Sequence, residues 1–208
     1  MVNIINRYNR HLHQPLLHRM HADRKRVFVD TLKWDVPHEG GIERDQFDDD
    51  LAEYLVIQDA ENGSHVASLR LLRTDRPHIL GNIFPELCDG RVPRGTDIRE
   101  ITRLCLSPGH RASVRLAARN RLARALIEYG LMTGIRAYTG VAEIGWFTQI
   151  LSAGWDCRPL GLPKEISRSV LAALKIEVNS HALAQLQGSW RCQEDAPLIL
   201  RHQLALAA

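Results

Sequence analysis

A segment with the composition of a β-strand, residues 97–106 (DIREITRLCL), carries charged side chains among its apolar residues. A strand that packs against a core needs at least one apolar face, and Glu100 and Arg103 interrupt this one. Burying a charge is costly unless the charge is paired. The segment is therefore either an edge strand with a solvated face or a strand whose charges meet partners or a ligand.

A second strand and an acidic loop favour the second interpretation. In residues 66–72 (VASLRLL), strict alternation places Arg70 on one face with Val66, Ser68 and Leu72. An arginine in such surroundings usually holds a carboxylate, from the protein or from a substrate. The preceding loop, residues 34–50, is acidic, and loops longer than about 12–15 residues are uncommon unless they are functional or disordered.

Composition excludes several classes of protein. The net charge of +3 (27 basic minus 24 acidic residues) is too small to indicate nucleic-acid binding. The four cysteines form no CxxC pair, which argues against zinc and disulfides and favours a reducing compartment. Because no window approaches the ~20 apolar residues of a membrane span, we expect a cytoplasmic protein without membrane contact.

The periodicity of apolar residues predicts a single α/β domain over residues 1–208, with a mixed β-sheet flanked by helices. Each predicted element follows from helical or alternating spacing. The predicted helices span 11–32, 114–133 and 145–153, with a weakly helical segment at 181–187, and the predicted strands span 53–58, 65–72, 97–106, 137–142 and 170–179.

Eight residues, with the sequence blocks around them, match the pattern of a known family. The blocks include RKRVFV, FDDD, ASLRLLRT and REITR. In these residues the chain resembles the acyl-homoserine lactone synthases, the autoinducer synthases of bacterial quorum sensing, and the likeness loosens after about Gly154. The eight residues are Arg24, Phe28, Trp34, Asp45, Asp48, Arg70, Glu100 and Arg103.

The resemblance implies an acyltransferase with a fold similar to the acyl-CoA N-acyltransferases. Such an enzyme moves an acyl group from acyl carrier protein or coenzyme A to the amine of S-adenosyl-L-methionine, then closes the lactone and releases methylthioadenosine. S-adenosylmethionine is a substrate, and no cofactor or metal is expected. Residues from about 1 to 105 would bind S-adenosylmethionine, and residues from about 106 to 190 would bind the acyl chain and its carrier.

The residue types suit this substrate. The acids match its ammonium and sulfonium, the aromatic rings offer flat faces to the adenine or the sulfonium, and an arginine can fork onto its carboxylate. Two structural alternatives stay open: plain core aromatics, and a purely structural Asp45–Arg70 ion pair. The predicted S-adenosylmethionine-binding residues are Arg24, Phe28, Trp34, Asp45, Asp48, Arg70 and Arg103.

Glu100, Thr102 and Arg103 are the predicted catalytic residues. Glu100 would be the base that takes the amine proton, with a pKa raised by its apolar neighbours, or would only orient the ammonium. Thr102 or backbone N–H groups would stabilise the tetrahedral oxyanion. Because alternation places Glu100 and Arg103 on opposite faces, a shared site requires a β-bulge.

The acyl donor needs a phosphate site and an apolar pocket. Loop 107–111 precedes a helix N-terminus, which favours phosphate binding, and Arg111 and Arg115 are the predicted contacts with phosphopantetheine or the carrier.

For each residue of the predicted acyl pocket, ordinary core packing is the alternative. Ala142 stands where relatives that make 3-oxo products have a threonine, which weakly favours an unsubstituted chain. The predicted pocket comprises Val141, Ala142, Trp146, Ile150 and Leu174, with Phe147 and Leu151 beside them.

The sequence leaves two other functions open. An N-acetyltransferase of the same fold could acylate another amine, but it would not need the aromatic and acidic loop and usually has a glycine-rich pyrophosphate loop. A non-catalytic module could bind acyl carrier protein or nucleic acid through the arginine-rich helix. Nucleic-acid binding would normally bring a more positive net charge.

Overall fold

Residues 2–190 are described by the computed structural model, and this part of the chain contains ten strands and five α-helices. The strands are Asn3–Ile5 (β1), His38–Glu39 (β2), Ile42–Glu43 (β3), Glu53–Gln58 (β4), His65–Arg73 (β5), Ile98–Leu106 (β6), Ala137–Glu143 (β7), Cys157–Pro159 (β8), Lys164–Ile166 (β9) and Ser169–Glu177 (β10). The α-helices are Gln14–Arg24 (α1), Ile79–Asn82 (α2), Ala112–Thr133 (α3), Ile144–Leu151 (α4) and His181–Trp190 (α5).

Eight of the strands form one mixed sheet, in the order β1-β4-β5-β6-β7-β10-β8, with β9 paired to β10. Strands β6 and β7 are parallel and are connected through α3, whereas β4 pairs antiparallel with β5 and β7 with β10. The predicted fold class, an α/β fold with a mixed sheet flanked by helices, is therefore confirmed. Strands β2 and β3 form a separate two-stranded sheet inside the acidic loop.

Packing divides the described chain into two compact units, and each unit consists of two segments. The first unit contains residues 2–71 and Arg103–Ala125, and buried Met20, Leu55 and Leu69 belong to its core. The second contains Leu72–Thr102 and residues 126–190, with Tyr138 and Ala173 fully buried. The division predicted near residue 105 concerns ligand binding and stays a prediction.

The helix predicted over residues 11–32 is interrupted in the structure. A 3-10 turn at Arg10–Leu12 precedes α1, which begins beside Pro15, and α1 continues into a π-helix at Lys25–Thr31. The Leu32 amide donates to the Val27 carbonyl five residues back, the hydrogen bond of a π-turn. Hydrophobic spacing did not separate the two kinds of turn, so the sequence predicted one continuous helix.

The remaining boundaries lie close to the predicted ones. Strand β4 has the predicted limits, and β5, β6, β7 and β10 differ from theirs by one or two residues. The short strands β1, β8 and β9 and the short helix α2 were not predicted. Within residues 2–190, no helix has the length and apolar character needed to cross a membrane.

Candidate active site

The first unit buries a cluster of charges, and one half of this cluster is built on Arg24 at the end of α1. Its guanidinium forks onto the Asp48 carboxylate with N–O distances of 2.8 and 2.9 Å. Its Nε donates to Glu43 Oε2 at 2.5 Å. The Tyr54 hydroxyl donates to the same Asp48 carboxylate at 2.9 Å, so strand β4 also holds this acid in place.

The other half joins strands β5 and β6 to the acidic loop. Arg70 forks onto Asp45 at 2.6 and 3.1 Å, and its Nη1 lies 2.9 Å from Asp48 Oδ1. Arg103 donates to Asp45 Oδ2 at 2.7 Å and to Glu43 Oε1 at 3.0 Å. The six side chains thus form a closed ring in which arginines and acids alternate, and their formal charges cancel. This ring, Arg24–Asp48–Arg70–Asp45–Arg103–Glu43, is called the ion ring below.

The ion ring has one open edge. The side chains of Glu43, Asp48 and Arg70 are 0% exposed, whereas those of Asp45 and Arg103 are 5% and 10% exposed. The most exposed part of the ring is thus its Asp45–Arg103 edge, where one negative and one positive group lie side by side.

The ionisation of the ring follows from its contacts. Burial by itself raises the pKa of Asp48, but the hydrogen bonds and charge of Arg24, aided by Arg70, lower this pKa far below its ordinary value. For Arg103, burial lowers the pKa more than Glu43 and Asp45 raise it. A guanidinium nevertheless stays charged in proteins, so Arg103 is a buried cation on which a further anion would be stabilised.

An aromatic pair stands beside Arg103. The rings of Phe28 and Trp34 stack with centroids 4.8 Å apart and an interplanar angle of 9°. The Arg103 guanidinium carbon lies 5.7 Å from the centre of the Phe28 ring. Phe28 belongs to the π-helix and is buried, while Trp34 is half-buried. Lys33, at φ +58°, turns the chain so that the Trp34 amide donates to the Phe28 carbonyl.

Strand β6 is irregular at Arg103. Arg103 has φ +52°, a left-handed conformation that is uncommon for a residue other than glycine. Burial alternates along Ile98, Glu100 and Thr102, and then shifts by one residue so that Cys105 is the next buried side chain. The shift frees Arg103 from the alternation, as a β-bulge does, and Arg103 joins the ion ring.

Glu100 lies in the second unit, and its side chain is completely buried. The Ile79 amide donates to its Oε2 and the Leu80 amide to its Oε1, each at 2.8 Å. These two amides, at the start of α2, hold the Glu100 carboxylate in place. Thr102, two residues along β6, is also buried. The roles of base and oxyanion donor stay predictions for these two residues.

The predicted donor-binding arginines lie at the start of α3, in the first unit. Arg111 is exposed and immediately precedes the helix, and Arg115, one turn into it, is half-buried. The Gly109 amide donates to Ser107 Oγ at 3.3 Å, which shapes the loop between β6 and α3. Phosphopantetheine or carrier binding by these arginines stays a prediction.

The structure does not bring the predicted acyl-pocket residues to one face of the sheet. Along β7, Val141 and Ala142 point to opposite faces because side chains alternate. Val141 packs on a buried cluster that contains Leu80, Leu87 and Ala173, with Phe84 and Val92 at its border. Trp146 and Ile150 are half-buried on α4, and Leu174 is in register with Gly140, which places it on the face of Ala142.

Two residues of this cluster were not predicted from the sequence, namely Glu43, a member of the ion ring, and Tyr54, which donates to Asp48. Glu43 was counted among the acids of the loop but was given no role, although it bridges Arg24 and Arg103. Charge balance was the available signal, since the predicted site contained three arginines but only two acids. Tyr54 was predicted only as part of strand 53–58, without a role in the site.

Comparison with known proteins shows the family of this chain. Residues 8–186 match the family model described as autoinducer synthase. An acyl-homoserine-lactone synthase from Pseudomonas aeruginosa is 31% identical over 176 residues, 83% of this chain and 88% of that protein. The structure of BjaI, a CoA-dependent acyl-homoserine lactone synthase solved with SAM and isopentyl-CoA, is 26% identical with a TM-score of 0.83, and the match covers 100% of this chain and 98% of that one.

The fold is that of the N-acyltransferases. An N-acetyltransferase structure from Lactobacillus plantarum matches with a TM-score of 0.56 at 15% identity, over 86% of this chain and 99% of that one. That likeness shows the fold alone, whereas the matched family model and the 31% identical synthase define the class, an acyltransferase. Within the class, the chain belongs to the autoinducer synthase family and is an acyl-homoserine-lactone synthase.

Proposed function

We propose that this protein transfers an acyl group from a thioester to the amine of S-adenosyl-L-methionine and then closes the homoserine lactone. The observation that carries this proposal is the open edge of the ion ring beside the Phe28–Trp34 pair. The bound S-adenosylmethionine and isopentyl-CoA in the BjaI structure support the same substrate classes. We expect no cofactor, since S-adenosylmethionine is consumed as a substrate.

The amino-acid end of S-adenosylmethionine complements the open edge. Its ammonium would lie against the Asp45 carboxylate and its carboxylate against Arg103, so that each charge meets its opposite at the rim of a ring that is neutral overall. The half-buried face of Trp34 would receive the adenine or the sulfonium cation. Arg24, Asp48 and Arg70 would act indirectly by holding Asp45 and Arg103 in position.

Two bonds form in the reaction. The neutral amine attacks the thioester carbonyl, a C–N bond replaces the C–S bond, and the thiol leaves with a proton. Glu100 would take the proton that the ammonium must lose, and Thr102 or backbone N–H groups would stabilise the oxyanion. The substrate carboxylate then attacks the carbon attached to the sulfonium, which closes the lactone and releases neutral methylthioadenosine.

The donor is an acyl thioester that carries phosphopantetheine, either acyl-CoA or acyl carrier protein. Both donors bring phosphate to the protein, and the exposed Arg111 at the start of α3 is the proposed contact, with Arg115 behind it. For the acyl chain we propose the apolar cluster of Leu80, Leu87 and Ala173, with Val141 as the one member that the sequence also placed in the pocket.

Product analysis tests the proposed function. The purified protein is incubated with S-adenosylmethionine and a panel of acyl-CoA and acyl carrier protein thioesters, and lactone and methylthioadenosine are quantified together. We expect the two products in a 1:1 ratio with at least one donor. Methylthioadenosine without lactone, or an acylated amine without methylthioadenosine, would contradict the proposal.

Glu100→Gln tests the proposed base. The amide keeps the size of the side chain but cannot take a proton, so we expect kcat to fall by about 100-fold or more while S-adenosylmethionine still binds. Glu61→Gln, in the exposed turn between β4 and β5, is the matched control and should keep wild-type kinetics. Full turnover in Glu100→Gln would remove Glu100 as the base.

A further inference from the structure

The five residues that join strand β6 to helix α3, Ser107–Arg111, are attached to the core of the first unit and are called the donor loop below. Ser107 is 4% exposed, and its amide donates to the Val66 carbonyl at 2.9 Å. Its hydroxyl accepts from the Gly109 amide at 3.3 Å and donates to the Asp23 carboxylate. The loop is therefore held by buried hydrogen bonds at its first residue.

Asp23 is the buried anchor of this attachment. It is 6% exposed near the end of α1, and its Oδ2 accepts from His65 Nδ1 at 2.8 Å. His65 Nε2 in turn lies 3.0 Å from Ser68 Oγ. Burial by itself raises the pKa of Asp23, but hydrogen bonds from His65 and Ser107 lower this pKa below its ordinary value. Asp23 is thus a carboxylate near pH 7, and it accepts from both neighbours.

A second contact fixes the other end of the donor loop. His110 directly precedes Arg111 and is half-buried. Its Nε2 donates to the His65 carbonyl at 3.1 Å and lies 3.4 Å from Ser64 Oγ. His65 serves both attachments, because its ring bonds Asp23 and its carbonyl bonds His110.

The end of α1 supports two parts of the first unit. Arg24, the last residue of this helix, belongs to the ion ring, and Asp23 beside it holds the donor loop. Consecutive residues of a helix point about 100° apart, so neighbouring side chains can serve different regions. The same helix end therefore fixes the frame of the ion ring and the loop that carries Arg111.

We propose that Ser107 and His110 are positioning residues, which hold the donor loop so that Arg111 stands ready for the phosphate of the acyl donor. A loop that becomes ordered only on binding subtracts the cost of ordering from the affinity. The buried hydrogen bonds of Ser107 and His110 remove this cost before the donor arrives. The inference rests on the proposed function, because Arg111 is the proposed donor contact there.

Ser107→Ala tests the attachment because it removes one hydroxyl and leaves Arg111 unchanged. The donor is the acyl-CoA or acyl carrier protein thioester that gives the most lactone in the product panel. We expect its KM to rise by about 3- to 10-fold, the effect of one hydrogen bond, with kcat and KM for S-adenosylmethionine unchanged. His110→Phe should act in the same way, since it keeps a ring without the N–H donor. Ser107→Thr, which restores a hydroxyl, should recover most of the donor affinity.

Ser68→Ala is the matched control. It removes a buried hydroxyl from the same network, but this hydroxyl bonds His65 within β5 rather than the donor loop. We expect Ser68→Ala to lower thermal stability about as much as Ser107→Ala does and to keep the wild-type KM for the donor. An equal rise of this KM in both variants overturns the inference, because the effect would then follow stability alone.

A combination with Arg111→Ala shows whether Ser107 acts through Arg111. Without the arginine the loop no longer presents it to phosphate, so Ser107→Ala should raise the donor KM no further in this background. An undiminished rise there overturns the inference. A wild-type KM in Ser107→Ala, in a protein that makes lactone, overturns the inference alone, whereas a wild-type protein that forms no lactone overturns the proposed function as well.

Discussion

Each arginine of the ion ring can be buried because it is paired with two carboxylates. Arg24 and Arg70 are fully buried, and each contacts Asp48 and one further carboxylate. Replacing a buried ion pair by apolar residues is often harmless, whereas removing one partner leaves a buried charge without compensation. The ring is therefore weak evidence for added stability, and in the proposed site it is the frame that would present Asp45 and Arg103 to S-adenosylmethionine.

Asp48→Asn tests this frame at the level of a single residue. The amide leaves Arg24 and Arg70 without a carboxylate that both now share, so we expect the free energy of unfolding to fall by about 3–5 kcal/mol in urea denaturation. Asp50→Asn is the matched control, because Asp50 is 85% exposed and pairs with Arg10 at the surface; it should change stability by less than about 1 kcal/mol. Equal effects of the two substitutions would show that the ring is not a buried frame.

At the scale of elements, the strands of the candidate site were recognised in the sequence because they carry charged residues where a buried strand should be apolar. Arg70 and Glu100 stood out as charged residues in apolar strands, and alternation predicted a β-bulge between or beside Glu100 and Arg103 if the two share a site; Arg103 has φ +52°. The π-helix was missed, since apolar spacing hardly distinguishes it from an α-helix. The predicted acyl pocket included both Val141 and Ala142, although alternation sends these two side chains to opposite faces.

Helix α1 is tied to the acidic loop by a histidine that must stay neutral. His21 donates from Nδ1 to the Glu43 carbonyl at 3.0 Å, and burial, with the charge of Arg24, lowers its pKa to about 4. Below pH 6.5 the unfolded chain takes up a proton that the folded protein refuses until about pH 4. Stability that is present above pH 6.5 is therefore lost as pH falls toward 4, by on the order of 3 kcal/mol.

His21→Gln should flatten that part of the stability profile in urea denaturation between pH 7 and pH 4.5, because glutamine does not titrate. His18→Gln, at an exposed position on the same helix, should keep the wild-type slope. An unchanged slope in His21→Gln would contradict the assignment of this pH dependence to His21.

At the scale of the whole molecule, two regions differ in their charge, the ion ring and the start of α3. In the ion ring, the charges of the three acids balance those of the three arginines. Arg111 and Arg115, at the start of α3, have no cluster of acids near them in the sequence. The proposed roles follow this arrangement, a zwitterion at the ring and a phosphate-bearing donor at α3. Composition alone could not reveal it, because the net charge of +3 averages the two regions.

Arg111→Ala combined with Arg115→Ala should raise KM for the acyl donor by about 10-fold and weaken its salt dependence, while KM for S-adenosylmethionine stays unchanged. Initial rates at two ionic strengths measure both effects. Arg168→Ala, at an exposed arginine outside α3, is the control. A matching increase in both KM values would contradict a role confined to the donor.

Calorimetric titration of S-adenosylmethionine into Asp45→Asn and Trp34→Ala tests most directly whether the open edge of the ion ring is the binding site. We expect each substitution to weaken binding by about 10-fold or more, because one removes the partner of the ammonium and the other a flat face. Trp34→Phe should retain part of the affinity, and Asp50→Asn should bind as the wild type does. Wild-type affinity in both Asp45→Asn and Trp34→Ala would contradict the account.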